Sequence, residues 1–93
     1  MILFEWDQEK AKRNLKNHRV SFDEASTVFS DTMSLTMHDP LHSDEEDRYV
    51  IIGNSHKNRL LVVVHVERGN RIRIISARKA TRKEKKQYEE NEN

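Results

Sequence analysis

The chain has 93 residues, enough for one hydrophobic core and too few for two, so a single domain spanning residues 1–93 is expected. Apolar residues make up 34% and charged residues 35%, which leaves a thin core and no run long enough to span a bilayer. Formal net charge is +1 and cysteine is absent, which rules out a disulfide framework, a thiolate metal site and a cysteine nucleophile.

The first segment, MILFEWD, is apolar for only four residues, too short for a signal peptide, so a soluble cytoplasmic protein with no membrane partner is expected. Ile2 to Trp6 alternates Ile2, Phe4 and Trp6 with Leu3 and Glu5, the pattern of a short strand. Asp7 then caps a helix over about Gln8 to His18, with Trp6 and Ala11 at the staple positions. Its apolar stripe is only Ala11 and Leu15. A solvated helix face accounts for Lys10, Lys12, Arg13 and Lys16.

Ser21 and Glu24 stand at the two positions of a capping box that opens a second helix. Phe22, Ala25, Val28 and Phe29 give that helix a core face. Ser30-Asp31 ends it, and Met33 to Met37 alternates as the next strand. HDPLHSDEED, residues 38–47, reads as a solvated acidic loop in which Pro40 blocks regular pairing. His38, Asp39 and His42 invite a metal reading. No helix aligns the two histidines, Pro40 lies between them, and neither a metal nor another cofactor is expected.

Arg48 to Asn54 forms a strand, joined through Ser55 to Asn58 to an apolar run from Leu60 to Val64, long enough for a buried central strand. Gly69-Asn70 is a two-residue hairpin signal. The return strand, Arg71 to Ala77, alternates cations with isoleucines and ends at Arg78-Lys79. A hairpin centred on Gly69-Asn70 sets Val66 opposite Arg73, and a turn centred on Lys57 sets Arg48 opposite Val66. Arg48 and Arg73 then flank Val66 on one sheet face with Arg71 nearby, and His65 lies on the other with Leu61, Val63, Ile72 and Ile74. A slip of one residue in either turn would exchange these faces.

A last helix opens on a second capping box, Thr81 with Glu84, and offers only Ala80 and Tyr88 as apolar contacts. Arg82, Lys83, Lys85 and Lys86 crowd its first two turns, and Glu89, Glu90 and Glu92 come last. That order opposes the helix dipole, at a few tenths of a kcal/mol (~0.3) per charge, and an incoming phosphate would relieve it. A frayed tail is the competing reading. Between Lys57 and Lys86 the only acids are Glu67 and Glu84, so the local field is strongly positive despite the balanced net charge.

FEWDQEKAKRN at Phe4 to Asn14 and KNHRVSFDEASTVFSD at Lys16 to Asp31 resemble the opening of BrnT-type toxins. The resemblance continues through EEDRYVIIG at Glu45 to Gly53 and LLVVVHVER at Leu60 to Arg68, and is most specific in RIRIISARKATRKEKKQYE at Arg71 to Glu89. One departure stands out: Arg19 follows His18 where the family usually has Gly, and a left-handed C-cap there costs an arginine some strain. The resemblance implies an α+β, RelE-like fold, with an antiparallel sheet, two N-terminal helices packed on it and a C-terminal helix. It also implies an endoribonuclease toxin of a bacterial type II toxin–antitoxin pair that blocks translation. A BrnA-type antitoxin would neutralise it, and operator DNA would be met only through that antitoxin.

RNA cutting without a metal needs a base for the 2′-hydroxyl, cationic donors for the phosphorane and an acid for the leaving oxygen. Arg48, Arg73 and Arg78 suit the phosphate because a guanidinium is always charged and forks onto its oxygens. The base and acid must come from groups that exchange a proton, His65, Lys79, Glu84 or Tyr88, and the sequence leaves the choice open. Arg71, Arg82, Lys83 and Lys86 would hold flanking phosphates. Blander roles exist: arginines pairing with the acidic loop, and His65 as a hydrogen-bonded core residue. The alternative function is a module that binds nucleic acid or antitoxin without cutting and acts as a corepressor.

Overall fold

The computed structural model describes residues 2–39 and 47–91. Its elements are β1 (Leu3–Glu5), α1 (Gln8–His18), α2 (Phe22–Thr27) running into a 3-10 turn (Val28–Ser30), β2 (Leu35–His38), β3 (Arg48–Asn54), β4 (Leu60–Arg68), β5 (Arg71–Lys79) and α3 (Arg82–Asn91). The strands form one sheet in the order β1-β5-β4-β3-β2. The expected all-antiparallel sheet is corrected at one edge, where β1 runs parallel to β5. A strand followed by helices rather than by a hairpin is free to return beside the last strand in either direction. His42, part of the weighed metal reading, lies outside the described residues.

Local capping follows the side chains. Asp7 Oδ1 accepts the N–H groups of Glu9 (2.8 Å) and Lys10 (3.1 Å) at the start of α1. α1 ends with Arg19 in the left-handed region, φ 59°, its N–H bonded to the Leu15 carbonyl. Ser21 Oγ accepts the Glu24 N–H (3.0 Å), but the reciprocal half of that box does not form. The Glu24 carboxylate is buried and taken by Arg59, whose Nε donates at 2.9 Å, and by Ser55 Oγ at 2.7 Å. Arg59 also donates to the Arg19 carbonyl (3.0 Å), so one ion pair ties α2, the α1–α2 junction and the β3–β4 turn together. β2 begins at Leu35, two residues later than the alternation implies, because Asp31 draws the Met33 N–H (2.9 Å) and the Ser34 N–H (3.1 Å) into a turn.

The central hairpin keeps the expected register from Arg68↔Arg71 to His65↔Ile74, and then shifts. Ile75 has no opposite number, and the pairing resumes one residue out of step from Val64↔Ser76 to Leu61↔Lys79. In an unbroken strand, residues five apart point to opposite faces. The bulge reverses that for β5. Arg73 sits opposite Val66 and Arg78 opposite Val62, and those valines, four apart, share a face. Gly69, at φ 61°, supplies the positive φ that the first position of a II′ hairpin turn requires.

The two sheet faces divide the labour. On one, Leu61, Val63, Ile51, Ile74 and Ala77 pack against Val20, Phe22, Ala25 and Val28 of the helical layer. On the other, Ile52 and Val62 pack against Tyr88 of α3, with Ala80, Met37 and Val50 around them. Gly53 lets the 3-10 turn approach closely, since a Cβ there would stand 2.9 Å from Val28 Cγ1. The buried Asn14 completes the edge of β5 where β1 has ended. Its Nδ2 donates to the carbonyls of Ala77 (2.8 Å) and Val20 (2.9 Å), and its Oδ1 accepts the Ala77 N–H (3.1 Å). Asn14→Ala would strip three backbone groups of partners, and a loss of ~2 kcal/mol or more of stability is expected in urea unfolding. A change under half that size would show that water replaces the amide there.

Candidate nucleic-acid interface

The face carrying α3 also carries the arginines. Arg48 opens β3 opposite Val66, and Arg73 lies opposite the same valine on its other side, so a buried apolar residue separates two guanidinium groups. Arg48 Nε is buried and makes no hydrogen bond. Glu5 of β1 lies beside Arg73 in the parallel pair. Its carboxylate accepts from Arg73 at 3.2 Å and from Arg71 at 3.5 Å. Glu5 reaches this face because its neighbours turn to the other: Phe4 meets the Phe29 ring at 5.2 Å and Trp6 the Phe22 ring at 6.0 Å. Glu5 is not among the site residues expected from the sequence. The signal was there in the alternation, since it is the polar residue between Phe4 and Trp6.

Arg78 is held by a fork. Its two terminal nitrogens donate to the two oxygens of Glu84, both at 2.8 Å. The same carboxylate accepts the Thr81 N–H (2.9 Å), and Thr81 Oγ accepts the Glu84 N–H (3.2 Å), completing the capping box of α3. Bonding to Arg78 is the main reason that the Glu84 carboxyl falls to about 2, with burial opposing and Thr81 assisting. Arg78 is raised in turn, chiefly by Glu84. Glu84 is therefore a fixed anion at neutral pH.

Tyr88 anchors the far end of α3. Its O–H donates to Asp31 Oδ2 at 2.7 Å and accepts from Asn54 Nδ2 at 3.2 Å. Burial pushes the Asp31 carboxyl up, but the Asn54 N–H, the Tyr88 hydroxyl and the Met33 N–H together bring it below its ordinary value. Arg82, Lys83 and Lys86 are exposed along the first turns of α3.

His65 is elsewhere. It lies on the helix-bearing face, 1% exposed, with the Phe29 ring at 4.8 Å edge-on and the Tyr49 ring stacked at 5.8 Å. Burial holds its imidazole below the usual histidine range, partly offset by Glu67, whose carboxylate is 3.5 Å from Nε2. Lys79 is exposed and opposite Leu61, again on the helix-bearing side. The fold thus brings Arg48, Arg71, Arg73 and Arg78 to one face, leaves His65 and Lys79 on the other, and engages Glu84 and Tyr88 in holding α3. Among the described residues, no group of three or more histidine, aspartate or glutamate side chains is placed to hold a metal ion. No described helix is long and apolar enough to cross a membrane.

A mixed sheet with α1 and α2 on one face and α3 on the other, beside which Arg71 and Arg73 pair with Glu5 and Arg78 with Glu84, defines a small α+β domain. Residues 6–84 match the sequence model of a family described as "Ribonuclease toxin, BrnT, of type II toxin-antitoxin system". The chain belongs to this BrnT family, and so to the toxins of type II toxin–antitoxin pairs. Its fold is similar to the crystal structure of the Brucella abortus ribonuclease toxin BrnT, with a TM-score of 0.69 at 20% identity over 88% of this chain and 100% of that one. No curated protein matches the sequence.

Glu24 and Glu84 both sit at about 2, against an ordinary value of 4.5. Arg59 is the main cause for the first and Arg78 for the second. A carboxyl lowered by folding stabilises the folded state fully above its unfolded value, and that contribution fades as pH falls towards the folded one. Stability is expected to drop most steeply between about pH 4.5 and pH 2, and Glu24→Gln to flatten that slope in urea titrations run across the range. An unchanged slope would mean that Glu24 titrates as it does in the unfolded chain.

Proposed function

We propose that the chain cuts RNA, without a metal, on the arginine-bearing sheet face, and that it does so in the cytoplasm as the toxin of its pair. The bulge at Ile75 is the observation that carries this reading, because it sets Arg78 on the same face as Arg48 and Arg73. Three guanidinium groups around one open surface can grip a phosphodiester and gain strength as charge builds on the phosphorane. The 2′-oxygen attacks phosphorus, the bond to the 5′-oxygen breaks, and a 2′,3′-cyclic phosphate is left. The 2′-hydroxyl proton goes to a base, and the departing 5′-oxygen takes one from solvent.

We assign the base to Glu5, the carboxylate beside Arg73 on this face. Glu84, fixed at about 2 by Arg78, is a poor proton acceptor, and its role is to aim Arg78 and cap α3. His65, Lys79 and Tyr88 leave the chemical step on this assignment, the first two by their face and Tyr88 by its bonds to Asp31 and Asn54. Arg71, Arg82, Lys83 and Lys86 supply the field that draws the strand in.

The antitoxin is read as BrnA-type, covering the arginine face with an acidic segment and meeting operator DNA through its own domain. The ion pairs already present on the arginines also support a second reading, a binding module that does not cut. Cleavage of a generic single-stranded RNA in the presence of a chelator separates the two. Arg73→Ala and Arg78→Ala are each expected to slow the cut by about 10²-fold with the circular dichroism spectrum retained. Intact RNA beside folded wild-type protein sinks the nuclease reading. Co-expression with the neighbouring antitoxin frame is expected to yield a co-purifying complex with a raised Tm; two proteins that elute apart would refute the covering segment.

A further inference from the structure

Behind the arginine face, at the hairpin end of the sheet, lies a cavity of about 340 Å³ that no step above uses. Its apolar wall includes Phe29 and Ile72, and its polar groups include Thr36, His65, Glu67 and Asn70. The volume falls within the range of small-molecule sites, and an apolar wall with a few convergent polar groups is their usual make-up. The His65 ring closes one side of this cavity; its Nδ1 is fully enclosed with the Val63 backbone beside it, so the groups open to a ligand are those of Thr36, Glu67 and Asn70.

The position matters as much as the lining. His65, Val66 and Glu67 are successive residues of β4, so Val66 points between Arg48 and Arg73 while its two neighbours point to the opposite face. The cavity is one sheet thickness from the proposed cutting site and reaches Gly69 and Asn70 at the turn. A single strand that rounds this end of the sheet leaves a phosphate on the arginine face and a flanking base on the other. Unstacked bases are read by proteins through aromatic contact and hydrogen bonds to their edges.

We infer that this cavity is a nucleobase pocket for the RNA strand and that it takes guanine. Guanine presents two adjacent donors, N1–H and the amino group, which a single carboxylate accepts together, and Glu67 is the carboxylate of the lining. The Thr36 hydroxyl and the Asn70 amide are left for the O6 side, and Phe29 and Ile72 for the ring faces. The inference rests on the proposed RNA cutting for its biological sense, but the pocket itself can be tested without it.

The test has two arms. In the first, ¹H–¹⁵N spectra of the wild-type protein are followed with each of the four nucleoside 5′-monophosphates, with inorganic phosphate alone as reference. The expected result is shifts at the amides of Thr36, Glu67 and Asn70 with the guanosine monophosphate that phosphate alone does not produce. Shifts confined to the arginine face, or identical with all five ligands, overturn the pocket. In the second arm, the cleavage positions of wild-type protein, Glu67→Gln and Thr36→Val are mapped on one mixed-sequence RNA. Both side chains are at the surface, so folding should survive, and circular dichroism checks it. Glu67→Gln is expected to reduce the preference for sites flanked by guanine by about tenfold, the scale of one lost base contact. An unchanged distribution overturns the inference while leaving the nuclease reading in place. A wild type that cuts nothing overturns the nuclease reading, and the spectra still decide the pocket.

Discussion

The geometry of this protein turns on one unpaired residue. Without the extra residue at Ile75, the two halves of β5 would obey one alternation, and Arg78 would point with Ile74 into the helix-bearing core. Burying a guanidinium there would cost several kcal/mol, on the order of the penalty for any unpaired ion in an apolar interior. The bulge removes that conflict. Ile74 and Ala77 can both be buried against α1 and α2 while Arg73 and Arg78 both face outward on the other side. The bulge also increases local twist, as such insertions do, and this is the stretch that Asn14 braces through the Ala77 backbone.

Once on a common face, Arg71, Arg73 and Arg78 are each oriented by a carboxylate rather than left to solvent. Glu5 spans Arg71 and Arg73, and Glu84 forks onto Arg78. Pairs of this exposure contribute about 0–1 kcal/mol, so an incoming phosphate can displace the carboxylates without a large penalty. The Glu84 pair sits at the strong end, because the same oxygens also cap α3. The orientation of Arg78 and the start of the last helix are therefore coupled through one side chain. The opposed charge order of α3 fits this view: its first turn is acidic only at Glu84, and that acid is already committed.

The buried and half-buried polar groups differ in how fully their partners surround them. Glu24, 1% exposed, is surrounded by Arg59 and Ser55, and it joins three separate parts of the fold. Asp31 accepts from two backbone N–H groups and from Tyr88, linking the end of the 3-10 turn to β3 and α3. His65 differs. Equally buried, it has Nε2 3.5 Å from Glu67 and the Val63 backbone as a further neighbour, and it borders open volume rather than packed side chains alone.

Much of the architecture was readable in the one-dimensional pattern, because its causes are local. The capping residues Asp7, Ser21 and Thr81, the end of α1 at Arg19 and the hairpin at Gly69-Asn70 all depend on residues within a few positions of each other, and the pairing of Arg48, Val66 and Arg73 follows from two short turns. The register set by the Gly69-Asn70 turn, together with alternation, placed His65 and Arg73 on opposite faces. What the sequence could not settle was anything decided between distant segments. The parallel docking of β1, which delivers Glu5 to the arginines, depends on where α1 and α2 come to rest. The use of Glu24 by Arg59 rather than by its own helix end depends on a turn 35 residues away. The bulge at Ile75 has no signature in the letters of β5, since it arises because the core claims both Ile74 and Ala77 at a spacing that an even strand cannot satisfy. Local chemistry determined the elements and which residues were cationic; only the competition for the shared core decided which cations would face outward together.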